Sequence, residues 1–140
     1  MKILLAVDGS EYTKRMLAYV AAHDELLGAA HEYTVMTAVA PIPEHATRFL
    51  DDQVLSDYYR EQAESVLRPV RKFADQHHWK VSVVHRHGHA AAAIASLAEE
   101  LQPDLIIMGT HGHSALRNVA LGSVASGVLA RCQAPVLLIH

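Results

Sequence analysis

The chain has 140 residues, enough for one domain with a substantial core, since a domain of this size buries about 70% of its unfolded surface. Its 51% hydrophobic and 19% charged residues are those of an ordinary globular protein. Twelve basic against fifteen acidic residues leave a formal charge of −3, which argues against a nucleic-acid phosphate backbone as the main partner. Histidine is the unusual component: protonating all eleven would reverse the sign of the net charge, so the surface is sensitive to mild acid.

The opening apolar run from Ile3 to Val7 stops at Asp8, shorter than the roughly 7–15 residues of a signal-peptide core. No stretch approaches the roughly 20 apolar residues of a membrane span. Cys132 stands alone, so neither a disulfide framework nor a Cys-rich zinc site is expected. These features point to a cytoplasmic protein that engages neither membrane nor nucleic acid.

Lys2–Val7 is a continuous apolar run, as expected of a strand buried on both faces. Ser10 can cap a helix through about Leu27, with Met16, Leu17, Val20, Leu26 and Leu27 inward and Gly28 as the stop. Glu32–Val39 is β-branched and reads as a second strand. Ala40–Asp52 holds Pro41 and Pro43 without a clear period and reads as a loop, mobile enough to serve as a lid. A long helix is expected from about Gln53 to Gln76, with Val54, Tyr58, Ala63, Val66, Leu67, Val70 and Phe73 on one face. Pro69 should kink or locally break it. Lys80–Arg86 is a third strand and His89–Leu101 a helix with Ile94, Leu97, Ala98 and Leu101 inward. After Pro103 come a fourth strand, Asp104–Met108, a helix from Ser123 to Cys132, and a last strand, Pro135–Ile139. Five strands separated by helical crossovers imply a single-domain α/β fold with a doubly wound parallel sheet.

Ligands of such sheets bind beyond the carboxyl ends of the strands, where the strand order reverses. The loop after the fourth strand runs from Gly109-Thr110-His111-Gly112-His113 to Gly122-Ser123. Glycines let backbone N–H groups approach an anion and take positive φ, and Gly122-Ser123 opens a helix whose N-terminus favours phosphate. A single glycine here would be explained by a plain strand-to-helix turn; three at these positions favour a phosphate site. No G-x-x-x-x-G-K-[ST] string occurs, and Asp8-Gly9-Ser10 follows the first strand in place of G-x-G-x-x-G.

With ILLAVDGS at the start, then DLIIMGTHGHS, LGSVAS and APVLLI, the chain resembles the nucleotide-binding branch of the universal stress protein family over nearly its whole length. The resemblance implies a Rossmann-like five-stranded sheet in the order 3-2-1-4-5 with helices on both faces, and a homodimer. It further implies an ATP site, with Mg²⁺, in which Ala6 and the backbone of Val39 flank the adenine. Asp8 would approach the ribose or a phosphate-bound metal. Met108, Gly109, Gly112, His113, Gly122, Ser123 and Val124 would line the ribose and phosphates. Asp8 can equally form its own turn, and that role is compatible with the first. The chain departs from the family where His113 stands for a basic residue and Ala115 for a glycine, leaving Arg117 as the only permanent cation of the loop. In the family's strand order Val136–Ile139 is a sheet edge, apolar and free of Lys or Pro, which invites pairing with a second copy.

His85, His87 and His89 alternate at the end of the third strand, but no carboxylate or thiolate partner for zinc is evident, and exposed strand-end histidines are the simpler reading. His77-His78 suits a solvated helix terminus, and Cys132 suits a small buried hydrophobe. Only Asp8 is a carboxylate near the glycine loop, so binding without rapid hydrolysis is expected over catalysis. Two roles remain open: a nucleotide-binding regulatory stress-response dimer with an unidentified partner, or an interaction dimer whose loop takes only inorganic anions.

Overall fold

In a parallel sheet covered on both faces, successive side chains of one strand feed two different cores. The computed structural model of the chain, which describes residues 1–114, 116 and 118–140, shows this in β1 (Lys2–Ala6). Ile3 and Leu5, with Val7 just beyond, pack under α1 (Glu11–Ala22) and α4 (Asp52–Gln76), beside Met16, Val20, Leu67 and Val70. Leu4 packs the other way, with Met36, Ile94 and Val128, under α5 (Ala90–Leu101) and α6 (Ser123–Arg131). The remaining strands are β2 (Glu32–Val39), β3 (Lys80–His87), β4 (Leu105–Gly109) and β5 (Val136–Ile139). All pairings are parallel and the order is β3-β2-β1-β4-β5, as the family resemblance implies. The order reverses at β1, which lies between β2 and β4, so the crevice for a ligand opens between the ends of β1 and β4.

Four local expectations are corrected. The first helix does not run unbroken to Leu27: α1 ends at Ala22, and a separate turn, α2 (Asp24–Leu27), follows His23. The His23 ring takes the Tyr19 carbonyl at 2.8 Å and its backbone N–H donates to Val20, which closes the helix; Leu26 is left 65% exposed. The 40–52 stretch contains a short helix, α3 (Glu44–Thr47). Asp51 caps α4 by accepting from the Val54 N–H at 2.9 Å, and α4 continues unbroken through Pro69. Pro69 is exposed, so the carbonyl it deprives of a partner faces water. Finally, Val54 and Tyr58 point outward and Tyr59 is buried, on the face shared with Ala63, Leu67, Val70 and Ala74.

Buried polar groups at the base of the sheet are satisfied. The Tyr33 hydroxyl donates to the Leu27 carbonyl and to that of Gly28 at 3.0 Å, and burial pushes its pKa up to about 12. Cys132 is half-buried against the second core, and burial raises its thiol pKa, which suits a packing role. His77 ends α4 with its ring stacked on Phe73 and bonded to the Phe73 carbonyl at 2.9 Å, more enclosed than a solvated terminus.

Candidate functional site

A cavity of about 630 Å³ opens at the carboxyl ends of β1, β2 and β4. All the candidate residues named above except Val39 line it: Ala6, Asp8, Met108, Gly109, Gly112, His113, Gly122, Ser123 and Val124. Val39 packs against the first core, and its carbonyl accepts from Gly88 at 2.9 Å; Ala38 and Met36 form the β2 wall instead. Ala115 and Arg117 lie outside the described residues.

Asp8 follows β1 in a turn that uses one carboxylate oxygen and leaves the other. Oδ1 accepts from the Ser10 backbone at 2.9 Å and from the Thr13 hydroxyl at 3.0 Å. The same hydroxyl accepts from the Asp8 N–H at 3.0 Å, so Thr13 fixes both the backbone and the side chain of Asp8. Gly9 completes the turn at φ +78°, a conformation that favours glycine. Oδ2 faces Gly112, where an added Cβ would lie only 2.4 Å away. The turn therefore uses Oδ1, while Oδ2 lies beside Gly112 in the cavity wall.

The loop after β4 is tied at both ends. The Gly122 N–H donates to the Thr110 carbonyl at 2.7 Å, and His111 Nε2 donates to the Val119 carbonyl at 2.7 Å. His113 Nε2 donates to the Asp8 carbonyl at 2.7 Å, which joins the loop to the β1 end. A carbonyl can only accept, so each of these ring nitrogens carries a proton. For His113 that leaves Nδ1 as the ring's remaining polar atom. The glycines serve close approach and not positive φ, which the described chain uses at Gly9 and Gly88 among its glycines. A Cβ on Gly109 would meet Tyr12 Cβ at 2.6 Å, and one on Gly122 would meet the Thr110 carbonyl at 2.8 Å.

Gly122 is the extended N-cap of α6 and makes no side-chain cap bond. Ser123, Val124 and Ala125, the first residues of α6, line the cavity, and their N–H groups have no intrahelical partner. Together the cavity offers an apolar end, at Ala6, Met36, Ala38 and Met108, and a polar end of backbone donors, hydroxyls and imidazoles. Asp8 is the only carboxylate among its described lining residues.

The sequence reading missed Thr13, Ala90 and Ile94, all of which line the cavity. Thr13 stands five residues after Asp8, a spacing that places a hydroxyl back over the preceding turn once a helix begins at Glu11. Ala90 and Ile94 are one helical turn apart at the start of α5. The 40–52 segment does not line this cavity; its residues border a second one. His85 and His87 also border that second cavity, while His89 caps α5 by accepting from the Ala92 N–H at 3.3 Å. Among the described residues no three His, Cys, Asp or Glu are grouped to hold a metal ion, and no helix is long and apolar enough to cross a membrane.

These features define a doubly wound α/β protein with a glycine-bordered cleft at its topological switch point. A family model described as Universal stress protein family matches residues 1–140, and the chain belongs to that family. It is 32% identical to a universal stress protein of Thermus aquaticus over 99% of this chain and 97% of that one. It is 33% identical to Universal stress protein MJ0531 of Methanocaldococcus jannaschii over 62% of this chain, a match that spans only 51% of that relative. The solved structure of MJ0577 from the same archaeon superposes with a TM-score of 0.82 at 27% identity, covering 99% of this chain and 94% of the other. More distant structures of the same fold hold ligands. One from Arabidopsis thaliana has AMP bound, at 12% identity and a TM-score of 0.71 over 99% of this chain and 90% of that one. A universal stress protein in complex with cAMP superposes with a TM-score of 0.70 at 21% identity, over 100% of this chain and 97% of the other.

Proposed function

We propose that this chain binds an adenine nucleotide, ATP with Mg²⁺, as a cytoplasmic regulatory homodimer whose occupancy alters its surface for a protein partner in a stress response. One observation carries the reading. The cavity at the β1/β4 crevice is bordered by Gly109, Gly112 and Gly122, each at a point where a Cβ would collide, and by the open N-terminus of α6. The AMP and cAMP complexes of proteins with this fold support it. The base takes the apolar end beside Ala6, where Met36 and Ala38 form the β2 wall. Asp8 Oδ2 serves the ribose or a nucleotide-bound Mg²⁺. Met108, Gly109, Gly112, His113, Gly122, Ser123 and Val124 surround ribose and phosphates. With Asp8 the lone carboxylate among the described lining residues, the nucleotide is held and not rapidly hydrolysed. Affinity spent equally on ground and transition states gives occupancy without rate.

The direct test is to denature freshly purified protein and identify what is released by absorbance and mass spectrometry. An adenine nucleotide is the expected result. Protein that releases none and gives no calorimetric response to ATP would instead be an interaction dimer whose loop takes only anions. That second reading draws support from the histidines and hydroxyls that make up the described polar end.

The dimer is assigned to β5, which among the described residues pairs only with β4 and leaves an apolar edge at Val136–Ile139. Light scattering at micromolar concentration is expected to give the mass of two chains, and Leu138→Lys the mass of one. A wild-type monomer overturns the assignment.

A further inference from the structure

A second cavity, of about 400 Å³, lies among the 42–47 segment, the start of α4 and the end of β3, away from the nucleotide cleft. Its apolar floor is Ile42, Leu55 and Tyr59, and Glu44 and Asp52 supply its charge. The floor is fixed in advance. The Tyr59 ring stacks on His87 with centroids 4.4 Å and planes 6° apart, and its hydroxyl accepts from the Ile42 N–H at 3.1 Å. Neither carboxylate has a salt-bridge partner among the described residues. Of the neighbouring carboxylates, Asp57 is paired with Arg60 and Asp51 caps α4, so the negative charge at the opening is that of Glu44 and Asp52.

An apolar floor with charge above it suits an aliphatic stem that ends in a cation. A metal ion does not fit this description, since no three ligand side chains are grouped there among the described residues. A free small amine would leave one feature unused. The turn between Thr47 and Asp52, which both line the cavity, carries Phe49 at 84% exposure and Leu50, also exposed. Large exposed apolar side chains in the turn that joins two lining residues of a charged cavity mark a surface that a protein segment covers.

We propose that this cavity docks a protein partner, which inserts a Lys or Arg side chain toward Glu44 and Asp52 and rests a neighbouring apolar side chain on Phe49. The proposal does not depend on nucleotide binding at the other cleft.

The test is selection of a random heptapeptide library, displayed on phage, against the full chain. Enriched peptides are expected to pair Lys or Arg with an adjacent large apolar residue. Synthesised with a fluorophore, they should bind the wild type at least tenfold more tightly than either Glu44→Gln/Asp52→Asn or Phe49→Ser, by anisotropy. Asp51, the α4 cap, is untouched in both variants, and melting curves confirm that each is folded. Amide shifts on binding should localise to residues 42–59 and 85–87. Failure to enrich any peptide, enrichment without basic residues, equal affinity for the variants, or binding of free agmatine as tight as that of the peptide would each overturn the proposal.

Discussion

Gly122→Val is expected to weaken ATP binding about a hundredfold or more while the chain still melts cooperatively. A Cβ at this position would stand 2.8 Å from the Thr110 carbonyl oxygen and 3.2 Å from His111 Cα. Both are backbone atoms, so no rotamer change relieves the contact. The chain must open the 2.7 Å bond from Gly122 to Thr110, and the first N–H groups of α6 move with it. Losing two or three charge-assisted bonds to phosphate, at about 1.5 kcal/mol or more each, is enough for that loss. Stability suffers less, because Gly122 lies outside both cores and valine is merely a poor N-cap, at a cost of about 1 kcal/mol. Calorimetry with ATP beside a circular-dichroism melt separates the two effects. Unchanged affinity would mean that the phosphates do not lie over this helix end.

The fold was legible because its strands are buried on both faces. Lys2–Val7, Asp104–Met108 and Pro135–Ile139 each concentrate apolar residues in a run too short for a helix, and prolines or glycines punctuate the gaps. What failed depended on contacts between distant residues. Period alone cannot choose between Tyr58 and Tyr59; the choice is made by the Ile42 N–H and the His87 ring, which Tyr59 meets only after folding. The break at His23 came from a side chain competing for the carbonyl of Tyr19, which no apolar pattern reports.

The candidate site was legible at its glycines and less so elsewhere. Their spacing marked the cleft, but the reason proved to be crowding by Tyr12, Asp8 and Thr110 and not a left-handed backbone. Thr13 carries no mark of its own in the sequence, because its bond to Asp8 forms only once α1 begins at Glu11. Here it is both acceptor and donor to Asp8. The resemblance implies the Val39 backbone at the cleft, but its carbonyl is bonded to the Gly88 N–H, and β2 meets the cleft at Met36 and Ala38.

The crowding of Asp8 by Gly112 leads to the second large effect: the losses from Gly112→Ala and Asp8→Ala should not add. A Cβ on Gly112 would lie 2.4 Å from Asp8 Oδ2, and the carboxylate cannot swing aside without breaking its bonds from Ser10 and Thr13. Either substitution therefore removes the same thing, a free Oδ2 aligned in the cleft. Each alone is expected to lower ATP affinity in Mg²⁺ by about tenfold to thirtyfold, and the double variant by little more than the larger single. The cycle then gives a coupling energy on the order of 1–2 kcal/mol. Thr13→Val should reproduce part of the loss, because it frees the carboxylate to rotate, and Thr13→Ser should restore it. Repeating the titrations in EDTA identifies what Oδ2 serves. If it acts through Mg²⁺, the Asp8→Ala loss largely disappears without metal; if it binds the ribose, the loss persists. Additive losses would instead show that Gly112 meets the phosphates on its own account, with Asp8 confined to its turn.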